Sequence, residues 1–244
     1  MSEGKGKIFF FSDLHLGAEK NKHERAEKLS KVDRLFEKVA KEGKALYMLG
    51  DIFDFWFEYN HAILSENYEL LHRISSLIDI GIEIHFLGGN HDFWAGDFLR
   101  SIGINVHRLP IVTELYGKKL FLAHGDGFAE SDWGYRKILK PILRNHINIF
   151  LFKKIHPDFA IRLGQIASGC SRKITGRREN PYLNEYRNFA KNKIDNGYDA
   201  VIFGHTHIPE KKVFSNGIYF NLGNFFENFS YLTLDKGQFS ECRV

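Results

Sequence analysis

Lys7-Ile8-Phe9-Phe10-Phe11-Ser12-Asp13-Leu14-His15-Leu16-Gly17 is an apolar run that breaks into a carboxylate and an imidazole two residues apart. A short Phe-rich run of this kind reads as a buried strand over Lys7–Ser12. Next, His23–Lys41 places Ala26, Leu29, Val32, Leu35, Phe36, Val39 and Ala40 on one helical stripe. The unit repeats. Ala45–Leu49 predicts a strand ending at Gly50-Asp51, and Tyr68–Ile78 a helix with Leu70, Leu71, Ile74, Leu77 and Ile78 on one face. Ile82–Leu87 predicts a strand ending at Gly88-Gly89-Asn90. Strands alternating with amphipathic helices argue a layered α/β fold, whose ligands bind beyond the carboxyl ends of the strands.

The junction of apolar run and polar block occurs five times: Asp13-Leu14-His15, Gly50-Asp51, Gly89-Asn90-His91-Asp92, His124-Gly125-Asp126 and Gly204-His205-Thr206-His207. The adjacent Gly50, Gly89, Gly125 and Gly204 allow tight turns and close backbone approach. Carboxylate and amide oxygens with imidazoles, and no thiolate, suit Mn²⁺, Fe²⁺ or Zn²⁺. Asp51 stands alone, as a carboxylate bridging two ions would. Two metals about 3.5–4 Å apart clamp the attacking and leaving oxygens of a phosphoryl transfer and bring the pKa of bound water toward about 7. The pattern therefore predicts a hydrolytic enzyme with two divalent ions.

The rest of the chain bounds that reading. Its 244 residues, 43% hydrophobic and 26% charged, suit a soluble globular protein. Two cysteines, Cys170 and Cys242, make no disulfide framework. No stretch approaches the ~20 apolar residues of a spanning helix, and the run after Lys7 is too short for a secretory signal. The expectation is a cytoplasmic protein. Pro110–Leu115 and Lys118–Ala123 flank a hairpin turn at Tyr116-Gly117. Asp132–Gly169 reads as helices interrupted at Pro141 and Pro157, Asn184–Ile194 as a helix and Ala200–Phe203 as a strand. The last forty residues read as strands turning at Asn216-Gly217 and Lys236-Gly237.

Charge is uneven. The net is +4, yet residues 130–180 hold eleven Lys or Arg against four Asp or Glu, with no acid between Trp133 and Pro157. In the same segment Ile138, Ile142, Leu143, Ile147, Phe150, Leu151 and Phe159 alternate with Arg136, Lys137, Lys140, Arg144, Lys153 and Lys154. An apolar and basic segment suits an anionic substrate or anionic lipid headgroups. Nucleic acid would also offer phosphates, but the interleaved residues are largely aliphatic, not stacking aromatics alone. Arg172, Lys173, Arg177 and Arg178 could reach a diphosphate.

Taken in order, DxH, GD, GNHD, HGD and GHTH resemble the calcineurin-like metallophosphoesterase superfamily. The resemblance implies a four-layer αββα sandwich, one domain over 1–244 with a helical lid at 130–180. It implies a first metal held by Asp13, His15, Asp51 and His207, and a second held by Asp51, Asn90, His124 and His205. It gives His91 and Asn90 catalytic roles at the scissile phosphate. Longer stretches are similar to the UDP-2,3-diacylglucosamine diphosphatase family: Ser12–Gly17, Leu49–Trp56, Gly89–Phe93, His124–Gly127 with Tyr135, and Ser168-x-x-Ser171-Arg172-Lys173. This implies Mn²⁺-dependent hydrolysis of UDP-2,3-diacylglucosamine to UMP and the diacylated sugar 1-phosphate, a step of lipid A synthesis, at the inner-membrane surface. Asp132, Tyr135, Ser171, Arg172, Lys173 and Arg177 are the implied substrate contacts. The better-known branch of that family carries Arg where this chain has His91. Two alternatives are a general phosphodiesterase or nuclease on the same fold and a non-catalytic scaffold. The seven histidines outside the blocks read as ordinary surface or core residues, and Asp54 as either a neighbour of the metal ligands or a helix cap.

Overall fold

The computed structural model describes residues 6–175, 182–225 and 227–244, and their side chains except those of 170–175. In chain order the elements are β1 (Lys7–Phe11), α1 (Lys22–Glu42), β2 (Gly43–Met48), α2 (Tyr68–Asp79), β3 (Glu83–Leu87), α3 (Asp97–Ser101), β4 (Asn105–His107), β5 (Ile111–Leu115) and β6 (Lys118–Leu122). There follow a π-helical turn at Tyr135–Leu139, then α4 (Lys140–Arg144), α5 (His146–Phe152), α6 (Pro157–Thr175) and α7 (Leu183–Asp195). The chain ends in β7 (Ala200–Phe203), β8 (Glu210–Phe214), β9 (Gly217–Asn221), β10 (Ser230–Asp235) and β11 (Gln238–Arg243).

The strands form a six-stranded sheet, β11-β10-β1-β2-β3-β4, and a five-stranded one, β5-β6-β7-β9-β8. Alternation along each strand makes the layers. Phe9, Phe11, Leu46, Met48, Ile84 and Phe86 pack with Leu29, Val32 and Leu35 of α1 and Leu70 and Ile74 of α2. Ile8, Phe10, Ala45 and Tyr47, on the opposite face, pack with Leu120, Leu122, Ala200 and Ile202 of the second sheet. Phe203, on that sheet's far face, meets Tyr186 and Phe189 of α7. Helix, sheet, sheet and helix therefore stack as the α/β reading requires. The parallel trio β1-β2-β3 and the parallel trio β6-β7-β9 bring the strand ends to common edges.

Four details differ from the sequence reading, the first being that Pro141 lies inside α4 and the helix break falls at Asn145. α3 and β4 have five and three residues, too few to display a period, and were not foreseen. β2 begins at Gly43, two residues before the expected Ala45. The β8–β9 turn is centred on Ser215-Asn216, because Gly217 already pairs with Phe214. Gly217 serves close packing instead: a Cβ there would lie 2.6 Å from the Asp199 carbonyl oxygen. Tyr116-Gly117 and Lys236-Gly237 turn as expected, with φ positive at both residues of each pair.

Candidate metal centre

Each polar block sits just beyond a strand: Asp13 and His15 after β1, Asp51 after β2, Asn90 and His91 after β3, His124 after β6, His205 and His207 after β7. Backbone bonds lock the first two loops together, from the Asp13 amide to the Gly50 carbonyl at 3.0 Å and from the His15 amide to the Asp51 carbonyl at 2.9 Å. Asp92 fastens the third, accepting from the amides of Gly89, Asp51, Ile52 and Phe53 at 2.7–3.2 Å. Asp13, His15, Asp51, His205 and His207 all have φ between 46° and 68°. A left-handed non-glycine residue costs about 1–3 kcal/mol and persists where the surroundings hold it, commonly at functional sites. Five of the candidate ligands share that conformation.

All seven expected ligands converge. His15 Nε2 lies 3.2 Å from His207 Nε2 and 3.8 Å from Asp51 Oδ2, and His207 Nε2 lies 3.2 Å from Asp13 Oδ1. On the other side of Asp51, Oδ2 lies 3.3 Å from His124 Nε2, which is 3.2 Å from both Asn90 Oδ1 and His205 Nδ1. His124 Nδ1 donates to the Leu49 carbonyl at 2.9 Å, so its Nε2 is left as an acceptor in the neutral ring. With His124 neutral, its Nε2 faces the Asp51 and Asn90 oxygens as one acceptor among others, an arrangement that a shared cation satisfies and that a proton on His124 also satisfies. Asp13, His15 and His207 form one group able to hold an ion, Asp51, His124 and His205 another, and His15, Asp54 and His91 a third that shares His15 with the first. The donor set thus fits two divalent metals with Asp51 Oδ2 between them.

Electrostatics agree. Burial works to raise the Asp51 carboxyl, but the imidazoles of His124, His91 and His15 hold it well below the carboxylate range. Burial works to lower His124, yet the Asp51 carboxylate raises it to about 10. His205 is pushed down to about 4 by burial and by the charge on His124. In the bare protein a proton on His124 balances the Asp51 carboxylate while His205 stays neutral, and a cation bound by this group would displace that proton.

His91 stands apart from these contacts. Its Nδ1 donates to the Asp54 backbone carbonyl at 2.9 Å and lies 3.6 Å from the Asp54 carboxylate, while Nε2 lies 3.8 Å from Asp51 Oδ2. Asp54 also lies 3.7 Å from His15 Nδ1. Its carbonyl fixes the His91 ring, and its carboxylate lies between the His91 and His15 rings, beside the expected ligands. The spacing Asp51-x-x-Asp54 was the only sequence signal for it.

Asp126 is the residue that the sequence reading left without a task. It accepts from Tyr135 Oη at 2.9 Å and pairs with Lys140 Nζ at 2.8 Å and Arg144 Nη2 at 2.9 Å. Burial would raise its carboxyl, but Arg144 and Lys140 hold it below the usual range. It ties the His124 loop to the helices that follow. Asp126→Asn is expected to lower stability by about 2–3 kcal/mol, the penalty for a partner lost from a largely buried pair, reduced because both cations are a quarter exposed. Chemical denaturation measures it, and a change under 0.5 kcal/mol would refute the anchoring role.

Those helices border the centre. α6 presents Ser168, whose hydroxyl donates to the Asp54 carbonyl at 2.7 Å, and Gly164, where a Cβ would lie 2.3 Å from the Phe55 ring. A cavity of about 160 Å³ lies between, lined by Asn90, His91, Tyr135, Phe55, Trp94, Leu139 and Leu143. Tyr135 is thus at the centre's edge. Asp132 is one turn away, its carboxylate accepting from the Tyr135 amide at 3.4 Å. Ser171, Arg172 and Lys173 fall on the end of α6, where side chains are outside the described set, and Arg177 lies outside the described residues.

Comparison with known proteins agrees with this geometry. A profile of the calcineurin-like phosphoesterase family matches residues 6–209, and the chain belongs to that family, whose members are metal-dependent hydrolases. A UDP-2,3-diacylglucosamine hydrolase of Porphyromonas gingivalis is 34% identical over 84% of either chain. One of Aeromonas salmonicida is 28% identical over 94% of this chain and 90% of its own. The solved structure of an archaeal phosphodiesterase superposes with TM-score 0.50 at 16% identity, over 98% of this chain and 99% of its own, and so shares the fold.

Proposed function

We propose that this protein hydrolyses UDP-2,3-diacylglucosamine, the substrate in its relatives' names, to UMP and 2,3-diacylglucosamine 1-phosphate. The observation that carries the reading is the apolar cavity that begins at Asn90 and His91 and runs under α6. A soluble phosphodiester has no use for such a lining, whereas an acyl chain leaves water by entering it, gaining about 0.8 kcal/mol per buried CH₂.

Asp13, His15, Asp51 and His207 would hold one ion, and Asp51, Asn90, His124 and His205 the other, with Mn²⁺ our assignment for this oxygen-and-imidazole set. Bound there, the ions supply an activated water near neutral pH and neutralise phosphoryl charge. The chain's own residues do the rest. His91, held by Asp54, directs Nε2 toward the scissile phosphate, and Asn90 places its amide beside it. Water oxygen attacks the α-phosphorus and the bond to the bridging oxygen breaks. The sugar leaves with its phosphate, and UMP keeps the oxygen from water.

We further assign residues 130–180 the role of a lid within a single domain, lying on an anionic membrane surface. Ile149, Phe152 and Ile161 pack inward on the Phe55 and Phe57 cluster. Ile147, Phe150, Leu151, Phe159 and Ile166 are each more than half exposed, beside Lys153, Lys154 and Arg162. An apolar face with basic neighbours suits acyl chains below and lipid phosphates around. Among the described residues no helix is long and apolar enough to cross a membrane.

The test is Mn²⁺-dependent release of UMP from UDP-2,3-diacylglucosamine in ¹⁸O-water. One ¹⁸O in UMP is expected. Label in the sugar phosphate would refute attack at the α-phosphorus. Brisk cleavage of a soluble phosphodiester with the lipid substrate untouched would refute the substrate.

A further inference from the structure

The inner face of α1 is apolar at Leu29, Val32, Leu35, Phe36 and Val39, with one exception: Lys28 is 2% exposed. An ammonium taken out of water costs several kcal/mol unless partnered. The loop after β1 supplies two partners for Lys28. The lysine pairs with the buried carboxylate of Glu19 and donates to the His15 carbonyl at 2.9 Å. The second Glu19 oxygen accepts from the Gly17 amide at 2.9 Å, and the Ala18 amide donates to the same His15 carbonyl at 3.2 Å. All these contacts fall on His15–Glu19.

That loop needs holding. His15 has φ 46° and Gly17 φ 104°, so the chain turns through left-handed backbone at the residue that carries the ligand. One edge is fixed by the amides of His15 and Leu16, which donate to the carbonyls of Asp51 and Ile52. The other edge is fixed by Lys28 and Glu19. Between them the His15 ring has little latitude, with Nε2 3.2 Å from His207 and Nδ1 3.7 Å from Asp54.

We propose that Lys28 and Glu19 are a positioning pair that sets His15 for metal binding. The inference rests on His15 being a ligand, as assigned above. It is a role in affinity distinct from folding: removing Lys28 alone strands the buried Glu19 carboxylate and costs stability, whereas removing both charges together is often neutral for the fold.

The test is calorimetric titration of the metal-free protein with Mn²⁺. Lys28→Met is expected to weaken one of the two sites about 10- to 100-fold, as loss of a ligand's supporting partner commonly does, and to lower the melting temperature because Glu19 is left buried without its lysine. Glu19→Gln is expected to weaken the same site about tenfold, and the double variant to do no worse than Lys28→Met, because the pair acts as a unit. Lys38→Met, also on α1 but hydrogen-bonded to Tyr231, is the control and keeps both sites. Folded Lys28→Met with two unaltered Mn²⁺ sites would overturn the proposal. If Lys28→Met does not fold, unaltered affinity in Glu19→Gln would overturn it. Wild-type protein that bound no Mn²⁺ would overturn the ligand assignment itself, a separable failure.

Discussion

Asp51→Asn is expected to remove nearly all turnover, by about four orders of magnitude, with the loss of at least one bound metal. The carboxylate lies in contact range of both candidate clusters, 3.8 Å from His15 Nε2 and 3.3 Å from His124 Nε2. Asn has the same shape, and its carbonyl can still accept from the His91 amide, which donates to Asp51 Oδ1 at 2.9 Å. The substitution therefore removes charge and spares the fold. Without that anion the remaining imidazoles repel cations less well compensated, so affinity falls at both positions. Losing one ion's several kcal/mol of transition-state stabilisation corresponds to about 10⁴ in rate. Metal analysis and kcat/KM on one preparation check both limbs. Two metals per chain with more than a tenth of the wild-type rate would show that Asp51 does not bridge.

The strands and their ends were legible because the chemistry there is discontinuous. Phe9-Phe10-Phe11 gives way to Asp13, and Val201-Ile202-Phe203 gives way to His205, so a buried strand and a polar junction can be read in one glance. α1 and α2 were legible because each buries one stripe. What the sequence does not display is the backbone state of the ligands. Nothing in Asp13-Leu14-His15 announces that two of three residues turn left-handed. The supporting residues were hidden for a related reason. Asp92, Asp126 and Lys28 act on backbone groups or on side chains far along the chain, and such partnerships have no period and no fixed spacing. The helical segment shows the same limit. Its composition announced an apolar and basic face, but composition could not separate Phe152, packed on Phe55, from Phe150, which faces solvent.

His91→Ala is expected to lower kcat about 10²- to 10³-fold, the usual effect of deleting one donor to developing charge, with both metals retained. The leaving group decides what His91 does. A phosphate monoester has its second pKa near 6, so the departing sugar phosphate is stable as an anion at pH 7 and needs little protonation. The useful service is then a donor aimed at phosphoryl oxygen. Asp54 supports this by accepting the Nδ1 hydrogen bond at its carbonyl at 2.9 Å, which turns Nε2 toward the centre. Arg supplies a donor at the same position, so His91→Arg is expected to lie within about tenfold of wild type, the scale of one hydrogen bond to a charged group. His91→Gln should fall with Ala. A diester with an alkoxide leaving group gives the contrast: there a proton donor matters most, and a charge donor matters no more than before. If His91→Arg is as impaired as His91→Ala, and the loss deepens sharply on the alkoxide substrate, His91 is a general acid. Loss of metal in His91→Ala would instead make it a ligand, through the second ring that with His15 flanks Asp54.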